Sequence, residues 1–180
     1  MFDDFDKAMQ PYLAAKEPDI PENKDYNRKL ETSNDIFKEK AFPLYKRYSE
    51  LQRVINQIEE LLKKPGLENI VGEDKINVSD EISGLMSEVG DCYNEIYKLY
   101  QRPKKQKVTF EVALASAKMV KFLKDMDDEE KLLLERLGKV SKKVDGLREK
   151  GWDVKDYSNF FMRANPEYEK KVGKVIEILN

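Results

Sequence analysis

Histidine is missing from this chain altogether. With it go the Ser-His-Asp and Cys-His nucleophile systems and every histidine-ligated metal site that the chain could build alone. Cysteine is nearly missing too. Cys92 stands alone, so no disulfide can close within the chain, and a reducing, intracellular setting is expected. Glycine and proline number only 8 and 7 in 180 residues, which suits long helices and disfavours a many-turned β fold. No apolar run approaches the ~20 residues of a bilayer-spanning helix. Met1–Leu13 carries Asp3, Asp4 and Asp6 where a signal peptide would be basic. Neither sign of charge dominates, with 33 Lys and Arg against 35 Asp and Glu and a net charge of -2. The chain as a whole is therefore not drawn toward nucleic acid or membrane, and an electrostatic partner would have to read a local patch.

What the chain has in abundance is helical periodicity. Phe37, Ala41, Leu44, Tyr48, Leu51, Ile55, Ile58 and Leu62 alternate steps of four and three, and all are apolar. This spacing keeps one seam on one face of a slightly underwound helix, so the seam must be buried against another helix. A second seam reads Val78, Ile82, Leu85, Val89, Cys92, Ile96 and Leu99. A third runs Val112, Ser116, Met119, Leu123, Met126, Glu130, Leu133, Leu137, Val140, Val144 and Leu147, with Ser116 and Glu130 as its polar exceptions. Phe42, Tyr45, Val54 and Leu61 flank the first seam, and Met86, Tyr93, Tyr97 and Tyr100 the second. Stripes this wide bury against two neighbours and favour a bundle over a two-stranded coil.

The ends of these helices are marked by local chemistry. The first is expected to start between Asp25 and Ser33, because Thr32, Ser33, Asn34 and Asp35 compete for backbone hydrogen bonds and suit a cap. It carries Pro43 without losing phase and stops at Lys63-Lys64-Pro65-Gly66. Leu67–Asn77 reads as a connection folded over the bundle end, and Asn77 or Ser79 as the cap of the second helix, which Arg102-Pro103 ends. Thr109 caps the third, which is expected to continue through the acidic run Asp125–Glu130, with a weak point near Asp127, to Lys150-Gly151. Trp152 anchors the turn that follows. Two short helices complete the chain, one from Asp153 to Arg163 and one after Asn165-Pro166-Glu167. At 1.5 Å per residue the three long helices measure about 48, 36 and 63 Å, so the third outruns the second and the short helices fold back over the excess.

The fold expected is thus all-α: an elongated antiparallel bundle of three long helices with coiled-coil-like packing, plus two short C-terminal helices folding back. Residues 1–24 are read as a mobile N-terminal segment and linker, and 25–180 as the bundle domain.

Chemistry-bearing clusters are few. Phe2, Phe5 and Met9 form an apolar edge that can dock into a groove on a partner or fold back on the bundle. Tyr93, Tyr97 and Tyr100 are either core-edge residues with hydroxyls reaching water or a tyrosine-rich contact surface. Arg102, Lys104, Lys105 and Lys107 form a compact basic turn, read as a solvated loop, a phosphate grip or a nuclear import signal. The run Asp125–Glu130 lacks the glycine and spaced glutamate of a calcium loop. Glu130 sits on a seam and is expected to pair with a lysine across it and set register. No catalytic residue, metal or cofactor is expected.

The functional expectation is a non-enzymatic scaffold or adaptor that binds a protein partner, or a second copy of itself, through uncovered seam and the tyrosine surface. Two alternatives stand beside it. One is a nucleic-acid-associated protein using the basic turn with Lys118, Lys121 and Lys124. The other is a small secretion or assembly chaperone. A cytoplasmic location is expected, or a nuclear one if the basic turn is an address.

Overall fold

In the computed structural model the described residues are 2–13, 23–100 and 109–155, with Phe2, Asp3, Tyr97 and Tyr100 described only in their backbone. Among them are four α-helices and no strand: α1 (Phe2–Met9), α2 (Lys24–Leu62), α3 (Gly72–Tyr100) and α4 (Phe110–Glu149), with a single 3-10 turn at Leu67–Asn69. The protein is all-α. The short helices expected beyond Asp153 fall, apart from their first residues, outside the described residues.

The helix starts follow from capping, though not always at the expected residues. The Tyr26 amide donates to Asn23 Oδ1 at 3.3 Å, which makes Asn23 the cap and starts α2 at Lys24, ahead of the range the sequence suggested. Thr32 and Ser33 lie inside the helix because their hydroxyls donate to the Arg28 and Leu30 carbonyls one turn back. The same bonding displaces the expected start of α3. Ser79 Oγ donates to the Lys75 carbonyl and Ser83 Oγ to the Ser79 carbonyl. The helix therefore begins at Gly72, whose φ of 70° closes the preceding turn, with Glu73 and Asp74 in its first turn. Thr109 caps α4 as expected, accepting from the Val112 amide at 3.3 Å. The helix then runs unbroken through Asp125–Glu130, and α2 carries Pro43 in its interior.

The chain divides into two compact units. Of the described residues, the first unit takes 2–13, 23–46, 98–100 and 109–127, and the second takes 47–97 and 128–155.

In the second unit, Arg47 pairs with Glu95 and Arg53 with Glu88. As one partner's number rises the other's falls, so α2 and α3 are antiparallel there. Tyr48 meets Glu130 and Glu59 meets Arg136, so α2 and α4 run parallel. The core of this unit takes in Leu51, Ile55 and Ile58 of α2, Ile82 and Val89 of α3, and Leu133, Leu137 and Val144 of α4. Leu51, Ile55, Leu133 and Leu137 are 0%, 0%, 4% and 2% exposed, as a shared seam requires.

In the first unit, α2 and α4 again run parallel, with Phe37 against Phe122 and Lys118 reaching Ser33. Here α1 supplies the third helix. Phe5 packs on Phe42 and Tyr45 at ring separations of 5.0 and 5.4 Å, and Tyr12 packs on Phe37 and Phe122. At the start of the chain α1 is a short helix laid on α2, and Tyr12 after it reaches both α2 and α4.

Candidate functional site

The functional candidates are side chains whose chemistry the fold has enclosed. Foremost is Glu130, a seam position of α4 and 1% exposed. The Tyr48 hydroxyl, from the seam of α2, donates to Glu130 Oε2 at 3.0 Å. Tyr93 of α3, 4% exposed, is near enough to feel the Glu130 charge. Burial first and the Glu130 charge second push its phenol far above the ordinary tyrosine range. Cys92 beside it is pushed up to about 11, by burial first and then by the Glu50 charge. A thiol with so little thiolate at neutral pH is a poor nucleophile.

The expected partner of Glu130 was a lysine. For Glu130 the structure shows the Tyr48 hydroxyl as a partner, a donor that carries no full charge. Tyr93, expected at a core edge or on a contact surface, is enclosed, and its hydroxyl does not reach water.

Other polar groups are also used to join helices. Arg136 grips Glu59 through two parallel bonds of 3.0 and 2.7 Å and also reaches Asn56. This fork holds the Glu59 carboxyl below the ordinary range and the Arg136 guanidinium above its own. Lys118 donates to Ser33 Oγ at 3.1 Å and to Asn34, and burial pulls its ammonium below the ordinary lysine value. Lys121 donates to the Pro11 carbonyl and lies 5.7 Å from the Tyr12 ring. Two of the three lysines assigned to a nucleic-acid surface are thus engaged within their own unit.

One open cavity of about 560 Å³ lies in the second unit, where the 3-10 turn meets the end of α4. Leu62, Leu67 and Leu147 line it together with Lys64, Lys143 and Lys150. Lys150 pairs with Glu68 at 2.7 Å, and basic residues beside the ends of α2 and α4 suit the carbonyl-rich poles of those helices. Among the described residues no group of three or more His, Cys, Asp or Glu can hold a metal ion, and no helix is long and apolar enough to cross a membrane.

The remaining sequence candidates divide as follows. Phe5 and Met9 are buried in the first unit. The side chains of Phe2, Tyr97 and Tyr100 lie outside the description, and so do Arg102, Lys104, Lys105 and Lys107. The seam is not left uncovered as expected. Every α2 seam position from Phe37 to Ile58 is buried, and so is every α4 position except Ser116 and Met126, which are half-buried. What the sequence reading missed is the pair Tyr26 and Phe110, at the first turns of α2 and α4. They are 44% and 50% exposed, with ring centroids 6.4 Å apart and the Lys29 ammonium 5.9 Å from the Phe110 ring. Their position at two helix starts, off both seams, was the available signal.

Compared with known proteins, the chain matches no family model, no curated protein and no solved structure at a significant level.

Proposed function

We propose that this protein is a non-enzymatic helical scaffold or adaptor that holds a protein partner, and that its helices form an antiparallel bundle with coiled-coil-like packing. The observation carrying this reading is how the enclosed chemistry is used. Glu130, Tyr48, Arg136, Glu59 and Lys118 each bond a neighbouring helix. A carboxylate that is 1% exposed and bonded to Tyr48 across two helices is suited to fixing their alignment. Contact with a partner then falls to the outside of the bundle, where Tyr26 and Phe110 combine exposed aromatic area with a neighbouring ammonium, the composition of an interaction hot spot.

The test is photo-cross-linking from position 110, followed by reassembly from purified components. A defined stoichiometric complex that Tyr26→Ala with Phe110→Ala weakens about tenfold or more, at unchanged helicity, supports the reading. A strictly monomeric chain that cross-links nothing reproducibly overturns it.

A further inference from the structure

We propose that the face of the first unit beneath α1 is a helix-binding groove, that α1 is its resident occupant, and that an acidic amphipathic helix of a protein partner competes for it. The inference deepens the scaffold reading above and rests on it, naming the kind of partner held.

The groove is defined by what lies in it. Phe5 packs edge-to-face on Phe42 and tilted on Tyr45, Met9 is fully enclosed, and Tyr12 closes the far end against Phe37 and Phe122. The anchors therefore fall at Phe5 and Met9, one turn apart on α1, and at Tyr12 in the turn that follows it, a variant of the helix-in-groove mode of recognition. The polar contacts lie at the edges, where the groove presents two lysines and one carboxylate, Asp125, whose Oδ2 accepts from the Tyr12 hydroxyl at 2.7 Å. The groove offers Lys38 to Asp6 at 3.0 Å and Lys121 to the Pro11 carbonyl, while Asp3 and Asp4 add further negative charge to the occupant. A ligand with apolar anchors at that spacing and carboxylates between them meets both demands.

Two features make α1 an exchangeable occupant. It has 8 residues, well short of the ~12–15 at which an isolated helix becomes even marginally stable, so its helical form depends on docking. It also joins α2 through residues 14–22, which contain Pro18 and Pro21. Because it is tethered, it competes at an effective concentration of order millimolar, a level that a specific partner can exceed in affinity.

The experiment titrates a fluorescein-labelled synthetic peptide of residues 1–13 with the full-length chain and follows anisotropy. Wild type is expected to bind weakly, because its own α1 occupies the groove. The full-length Phe5→Ala/Met9→Ala variant is expected to bind at least about tenfold more tightly, and a peptide carrying the same two substitutions is expected not to bind. Should the double variant lose helicity, Asp6→Lys sets a like charge against Lys38 without disturbing the core, and about a threefold gain is expected. Dimers that the peptide dissociates would also support the groove, with α1 of a second copy as its occupant. Equal affinity of wild type and folded variants, or no binding to any of them, overturns the inference. That failure would leave cross-linking from position 110 untouched, so the two readings fail separately.

Discussion

A carboxylate as enclosed as Glu130 needs compensation, because an isolated charge in a protein interior costs several kcal/mol. The Tyr48 hydroxyl provides part of it through a charge-assisted bond. Replacing Tyr48 with Phe should therefore destabilise the protein by about 1.5–3 kcal/mol, read by urea denaturation. Glu130→Ala, which leaves the buried hydroxyl without this acceptor, should cost about 1–3 kcal/mol, and Glu130→Gln, which keeps an acceptor, distinctly less. The buried Cys92 and Tyr93 predict a pH effect of definite sign. Cys92 is raised from an ordinary value of 9.0 to about 11, and Tyr93 from 10.0 to well above its usual range. Above pH 9 the unfolded chain releases these protons while the folded chain retains them, so stability is fully present below that pH and falls as pH rises. Cys92→Ala should flatten the fall between pH 9 and 11 and leave the steeper loss above pH 10 that belongs to Tyr93. Thermal melts across that range give the measurement.

At the scale of single elements, the end of α4 is the most sharply determined. The Trp152 amide donates to the Leu147 carbonyl and the Gly151 amide to the Arg148 carbonyl, each at 3.0 Å, with Gly151 at a φ of 86°. This is the Schellman arrangement, completed by Trp152 and Leu147 in one apolar cluster. Arg148 then ties the next stretch down by donating to the carbonyls of Val154 and Lys155. Gly151→Ala forces an L side chain into left-handed backbone and should cost about 1–2 kcal/mol. Trp152→Ala, which empties a core site, should cost about 3–5 kcal/mol. Both are read from denaturant midpoints. Lys150-Gly151-Trp152 was legible in advance because basic residue, glycine and aromatic each have one role at a helix end. The three seams were legible for a similar reason: their period survives Pro43, Ser116 and Glu130 without slipping. Helix starts were less so. Thr32, Ser33 and Ser79 look alike whether a hydroxyl caps an amide ahead or bonds a carbonyl behind, and only the surrounding packing decides. Nor could periodicity name partners. It marked Glu130 as a polar seam residue without pointing to Tyr48, and Phe5 and Met9 as an apolar edge without locating the groove beneath them.

For the molecule as a whole, charge is abundant and nearly balanced, and many of the ion pairs are solvated. Arg28 with Asp25 and Arg53 with Glu88, for example, have more than half of each side chain exposed. Pairs of this kind contribute little and are readily screened. Raising sodium chloride from about 0.05 to about 0.5 M should accordingly change unfolding free energy by less than about 1 kcal/mol, as measured by urea titration at both salts. Stability resides in the apolar interiors of the two units. Phe122→Ala in the first and Leu137→Ala in the second should each cost about 2–5 kcal/mol, far beyond any surface pair.

Within the second unit α2 and α4 share one core with α3, and this limits how the unit can change size. Inserting one residue into either helix turns everything beyond it by about 100° and rotates the buried edge out toward water. A tolerated change adds or removes a whole heptad, and in the second unit it must do so in α2, α3 and α4 together. Descendants of this chain that differ in length should therefore do so by coordinated blocks along all three helices, with their loops and caps left as they are.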